Sequence, residues 1–123
     1  MSETAVARVS LAEKFALVDR PWTPKIVGEL NGQYVKLAKF SGEFVWHKHD
    51  NEDEMFLVVK GELTLKLEGH DITLREGEFA IVPRGTLHLP VAAGETHVLL
   101  FEPKSTVNTG ELNHALTASC DWI

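Results

Sequence analysis

The side chains best suited to chemistry cluster in His47-Lys48-His49-Asp50-Asn51-Glu52-Asp53-Glu54. Side chains alternate along a strand, so two histidines two apart share a face, and Glu54 follows just past a short turn. Further along, Pro83-Arg84-Gly85-Thr86-Leu87-His88 offers a third imidazole beyond a second turn. If the chain folds back on itself, His47, His49, Glu54 and His88 bring nitrogen and oxygen donors together as a metal site. Asp50, Glu52 and Asp53 read instead as a solvated acidic loop.

These residues need strands to hold them. Glu43 to His49 and Glu54 to Lys60 read as strands whose short connection can set residues 49 and 54 opposite one another, which puts Glu54 on the histidine face. Pro83 presets φ at the second position of a type I turn ahead of His88, and Gly85 closes the fourth. Other strands are expected at Lys25 to Leu30, Gln33 to Phe40, Leu63 to Glu68, His70 to Arg75, Glu78 to Pro83 and Thr96 to Glu102. Asn31-Gly32 between the first two suits a type I′ hairpin, because both central positions need positive φ. Short strands with glycine punctuation imply an all-β sandwich or barrel rather than alternating strand and helix units. Ahead of them, Ser10-Leu11-Ala12-Glu13 has the spacing of a capping box, and Leu11, Phe15 and Val18 share a helical face, so one short helix is expected from Ser10 to Val18 before Pro21 stops it.

Strand parity sorts the two faces. Inward His47 and His49 take Val45 with them and leave Phe44 and Trp46 outside; inward Glu54 takes Phe56 and Val58, leaving Met55, Leu57 and Val59 outside. A strand apolar on both sides needs cover on both, and a homodimer interface is the expected cover. Tyr34, Phe40, Phe56 and Phe79 are candidates to line a pocket, and Arg84 to meet an anionic group at its mouth. Beyond Pro103 the pattern fades into an irregular arm, where Asn108, Gly110 and Asn113 interrupt a possible turn at Leu112, Ala115 and Leu116, and Trp122 and Ile123 are apolar anchors.

Length and composition limit the rest. The 123 residues suit one domain, with a helical segment over about 1–23, a barrel over 24–103 and an arm over 104–123. The formal charge is −6, which disfavours nucleic acid and anionic membrane as partners. With one cysteine, Cys120, no intramolecular disulfide can form, and no apolar run approaches the roughly 20 residues needed to span a bilayer. A soluble, cytoplasmic protein with a small-molecule ligand is expected.

The motifs resemble those of the cupin superfamily. Its first motif is Gly, five residues, His-x-His, three or four residues, Glu, six residues, Gly; Gly42, His47, His49, Glu54 and Gly61 follow it, with four residues rather than five after Gly42. Its second is Gly, five residues, Pro-x-Gly, two residues, His, three residues, Asn; Gly77, Pro83, Gly85 and His88 follow it, with Ala92 in place of the Asn. Only fifteen residues separate Gly61 from Gly77, as in small bacterial single-domain cupins. The resemblance implies a double-stranded β-helix, or jelly roll, with one divalent transition metal held by His47, His49, Glu54 and His88. Three neutral imidazoles and a carboxylate suit Fe, Mn, Ni, Zn or Cu, with coordination positions left for ligand. The implied function is a metal-dependent enzyme on a small polar organic substrate, of dioxygenase or isomerase/lyase type. The alternative is a non-catalytic module that binds a small ligand or sugar. No general base is evident beyond the ligand set.

Overall fold

The computed structural model describes residues 6–112 and 114–123. Asn113, read above as an interruption in the arm, lies outside the described residues. The chain is mostly β: 50% of the described residues lie in strands or isolated bridges and 4% in a helix. The elements are α1 (Leu11–Phe15), β1 (Lys25–Leu30), β2 (Gln33–Glu43), β3 (Glu54–Lys60), β4 (Leu63–Leu67), β5 (His70–Leu74), β6 (Phe79–Val82), β7 (His88–Pro103) and β8 (Asp121–Trp122).

Two long strands organise the sheet. The first half of β7 pairs with β4, the second half with β3, and β2 runs antiparallel beside both halves. β5 then extends the sheet beyond β4, β6 beyond β3, and β1 with β8 beyond β2. The inner faces enclose one apolar cluster that includes Phe40, Phe56, Val58, Leu63, Leu65, Val98 and Leu100. A second cluster lies outside β2, where Phe15 and Val18 pack on Val27 and Leu37.

The expected helix is shorter than its apolar spacing implied. Ser10 caps it, its hydroxyl accepting from the Glu13 backbone N–H at 3.2 Å, but the helix ends at Phe15 and Val18 continues the same apolar contact from a turn. Five residues cannot hold a helix by themselves, so packing sets its length. Asn31 and Gly32 have φ of 53° and 77°, both positive as a type I′ hairpin requires, and Leu30 pairs with Gln33 across them.

The strand expected to end at Phe40 runs on to Glu43 as β2, but the break at Ser41-Gly42 survives within it: the register against β7 shifts between Phe40 and Gly42, and Gly42 has φ +74°. The expected strand from Glu43 to His49 is absent as a regular element. Glu43 pairs with Val91, the Phe44 N–H donates to the Pro90 carbonyl, and His47 bridges to His88. Four steps on this side therefore oppose three on β7, which is a one-residue bulge. The extra residue reverses the alternation, so Phe44 and His47 both point inward while Trp46 is exposed. Phe44 is thus a core residue rather than an outer-face one.

In β3 the expected parity holds: Glu54, Phe56 and Val58 are buried, and Met55, Leu57 and Val59 are intermediate. Val59 packs under α1 of its own chain. Beside Met55 and Leu57 lie Phe79 and Ile81 of β6, each 58% exposed, so Phe79 lines no interior pocket. Among the described residues the arm beyond Pro103 forms turns without a helix and returns through β8, after which Ile123 N–H donates to the Ile26 carbonyl at 3.1 Å.

Gly61 follows β3 at φ +93°, and a Cβ there would lie 2.8 Å from Thr96 Oγ1 and 3.2 Å from Thr96 Cα. Thr96 cannot yield easily, because it is buried and its hydroxyl donates to the Glu62 and Gly94 carbonyls. Gly61→Ala should therefore lower stability by more than about 1 kcal/mol in chemical denaturation. An unchanged midpoint would contradict this packing.

Candidate metal centre

The bulge delivers His47 to the barrel interior, and His49 follows two residues later on the same face. Glu54 opens β3 and His88 opens β7. Two ties lock the loops that carry them. Gly85 N–H donates to the His49 carbonyl at 2.7 Å, and Arg84 donates to Asp53 Oδ1 from its backbone at 2.9 Å and from Nε at 3.2 Å. The turn before His88 is closed by Thr86 N–H on the Pro83 carbonyl, with Gly85 third at φ +80°. A positive φ there belongs to a type II turn rather than the expected type I, because Pro83 occupies the first position.

One potential ligand atom from each of His47, His49, Glu54 and His88 lies within 4.8 Å of all the others, and all four residues are buried. His47 Nδ1 donates to the Val45 carbonyl at 2.9 Å and His88 Nδ1 to the Thr86 carbonyl at 2.8 Å. Each bond fixes a tautomer and leaves the Nε2 lone pair free, the usual outer support of a metal-bound imidazole. His49 Nε2 is 3.1 Å from Glu54 Oε1 and His88 Nε2 is 3.6 Å from the same oxygen. None of these three atoms has a hydrogen-bond partner among the described residues. Buried polar atoms without partners cost free energy, and a divalent cation would engage all of them together. The cluster could hold a metal ion; its donors fit one.

Protonation follows the same crowding. Burial and the neighbouring His88 push the His47 pKa down from 6.5 to about 4. Burial also works against charge on His49, yet contact with Glu54 outweighs it and raises the pKa. Glu54 is held below the ordinary carboxylate range because His49 and His88 overcome the effect of burial.

The other acidic residues separate. Asp50 and Asp53 are exposed, as expected of a solvated loop, although Asp53 binds Arg84. Glu52 is buried and accepts from Ser105 Oγ at 2.7 Å, so it serves as an anchor for the arm rather than as loop charge. Arg84 is engaged by Asp53 and is not a free cation at the pocket mouth. His70 and His114 are exposed, and His97 stacks on Phe15 outside the barrel.

The pocket beside His47 and Glu54 is walled by Trp22, Phe40, Phe44, Phe56 and Leu100. Trp22 stacks on Phe40 and Phe44 at 4.3 and 4.5 Å, and its Nε1 donates to the Ser41 carbonyl at 3.0 Å. Sequence reasoning missed the ion pair at this pocket's wall. Glu102 is 2% exposed, and its Oε1 lies 3.3 Å from Nζ of Lys36, also 2% exposed. Burial first, and then the charge of Glu54, push the Glu102 carboxyl well above its ordinary range, with Lys36 pulling the other way. The signal was available in β7: Val98, Leu100 and Glu102 alternate, which turns Glu102 onto the inner face.

An antiparallel barrel with three histidines and a glutamate at one end of its interior is the arrangement of cupin proteins. The Cupin domain family pattern matches residues 33–102, more than half of the chain, and the chain belongs to that family. An uncharacterized protein from Aquifex aeolicus is 32% identical over 105 residues, covering 84% of this chain and 81% of that one. The uncharacterized protein YdbB from Bacillus subtilis is 36% identical over 63 residues, covering 50% of this chain and 56% of YdbB. The crystal structure of a cupin-2 domain containing protein from Shewanella frigidimarina, 38% identical, matches with a TM-score of 0.77 over 78% of this chain and 94% of that one. Among the described residues no helix is long and apolar enough to cross a membrane.

The depressed His47 pKa has a measurable consequence in metal-free protein. A proton favours the unfolded chain at this site, so the contribution is fully present above pH 6.5 and is lost as pH falls towards about 4. Denaturation midpoints across that window should fall less steeply in His47→Asn than in the unaltered chain. Equal slopes would place the titration elsewhere.

Proposed function

We propose that this cupin is a metal-dependent enzyme acting on a small polar organic molecule, with His47, His49, Glu54 and His88 as the metal ligands. The observation that carries this reading is the position of the cluster: its unpartnered donor atoms adjoin a pocket, where a bound ion could meet a ligand. A purely structural ion would be enclosed by protein donors on every side. A divalent ion held there supplies Lewis acidity towards a carbonyl or hydroxyl oxygen, and a redox-active one such as iron extends this to oxygen chemistry.

The chain's own residues do the remaining work. The Val45 and Thr86 carbonyls aim two imidazoles. Trp22, Phe40, Phe44 and Phe56 wall the side of the cluster at His47 and Glu54 and keep it apolar, which strengthens polar contacts at the ligand set. Glu54 is the one carboxylate among the ligands and could take a proton from a substrate if it detaches during turnover.

Elemental analysis of protein purified without chelators or a metal-affinity tag should find one divalent transition metal per chain. His49→Ala should lose most of it while circular dichroism still reports a folded β protein. Full occupancy in that variant would overturn the ligand assignment. Consumption of a small oxygenated substrate by loaded protein would support catalysis, whereas a retained ligand with no turnover across a broad panel would favour a non-catalytic binding module.

A further inference from the structure

Trp22 holds a backbone conformation that its own side chain disfavours. Its φ is +60°, a left-handed geometry that a bulky residue seldom adopts and that the surrounding contacts must enforce. The enforcing contacts are all on one residue. Its backbone N–H donates to the Lys39 carbonyl at 2.9 Å, its Nε1 donates to the Ser41 carbonyl at 3.0 Å, and its ring lies on Phe40 and Phe44. Asn108 completes the set. Its Nδ2 donates to the Trp22 carbonyl at 3.3 Å and to the Leu116 carbonyl at 2.9 Å, while its Oδ1 accepts from Ala118 N–H at 2.9 Å. One side chain thus ties residue 22 to the arm.

What Trp22 separates gives this strain a use. On one side is the cavity against His47 and Glu54, whose volume of about 20 Å³ has room for one water and for no organic ligand. On the other is a surface groove of about 550 Å³, between the segment from Arg20 to Lys25 and the arm at Ala115 to Ser119. Among the described residues, Trp22 alone lines both.

We infer that Trp22 is a gate: the way from solvent to the metal centre runs through this groove and opens when the Trp22 ring leaves its stack, with Asn108 as the latch that holds it closed. Opening exchanges a left-handed backbone for a relaxed one, so released strain offsets part of the lost contacts and the motion stays local. The space that the ring vacates joins the cavity. The ligand class is therefore a compact molecule no bulkier than the indole it displaces. This route presupposes the reading above, a centre that takes a ligand from solvent, but the gate itself needs no metal to be measured.

Hydrogen exchange reads the gate directly. The Trp22 indole N–H is buried and bonded, whereas Trp46 and Trp122 are 44% and 55% exposed and exchange at once, so one slow indole signal remains in NMR spectra. That signal should report an opening at least about a hundredfold more frequent than that of the slowest β7 amides, and insensitive to low denaturant because little surface is exposed. Asn108→Ala should raise its rate about five- to tenfold, as expected for one or two hydrogen bonds lost, with the β7 amides unchanged. Cobalt(II) uptake by metal-free protein, followed by visible absorption, should quicken by the same factor. Trp22→Gly accepts the positive φ and removes the ring, so its cobalt uptake should be at least about tenfold faster than that of the unaltered chain. Protection of the β7 amides shows whether each variant is folded; if Trp22→Gly is not, Asn108→Ala decides. An indole that exchanges only with the β7 amides, or cobalt uptake that stays constant while Asn108→Ala frees the indole, would overturn the gate. A chain that takes up no cobalt at all removes the ligand assignment made above and leaves the gate to stand or fall on indole exchange.

Discussion

An interior built from apolar side chains tolerates polar atoms only where each is answered, and this barrel encloses three imidazoles and two carboxylates. That constraint explains why so many backbone groups converge on one end of the sheet. The Val45 and Thr86 carbonyls answer the outer nitrogens of His47 and His88, while Lys36 answers one oxygen of Glu102. One ligand-type atom from each of His47, His49, Glu54 and His88 is left facing a common centre, so the chain's own hydrogen bonding defines where an ion would sit. Aromatic walls raise the stakes, because a low local dielectric enlarges both the penalty of an unmet group and the gain when it is met.

The four ligand-type residues were legible in the sequence because their spacing obeys local rules. His47 and His49 differ by two, Glu54 follows a short loop, and Pro83 and Gly85 mark a turn ahead of His88. Two-residue periodicity likewise disclosed the inward run Glu54, Phe56, Val58. What escaped depended on pairing between distant strands. The bulge that turns Phe44 inward exists only relative to β7, and no local pattern records how many residues oppose it. Glu52 looked like loop charge because its partner Ser105 lies far along the chain in the arm. Lys36 and Glu102 looked like ordinary strand charges, although the parity of Val98 and Leu100 already turned Glu102 inward.

Departures from the family pattern are absorbed locally. Ala92 stands where cupins carry an asparagine, and it is 3% exposed within the apolar cluster, so packing occupies a place that a polar contact would otherwise fill. The arm compensates elsewhere. Gly110 rests against the Lys48 carbonyl and the edge of the His47 ring, and Glu111 N–H donates to that carbonyl at 3.1 Å. Residues beyond the strands therefore buttress the histidine segment from outside the barrel.

The bulge between Glu43 and His47 gives this segment an arithmetic that side-chain identity does not capture. Facing is a matter of odd and even, and the bulge takes up the one odd residue: Phe44 and His47, three apart, face inward together where a regular ladder would need an even spacing. Trp46, half exposed, has latitude in what it is. Losing one residue here would straighten the ladder and leave His47 opposite His88 on the inner face, with Phe44 two residues before it. Over evolutionary time the pairing with His88, rather than the count of residues leading up to it, is what keeps the imidazole inside.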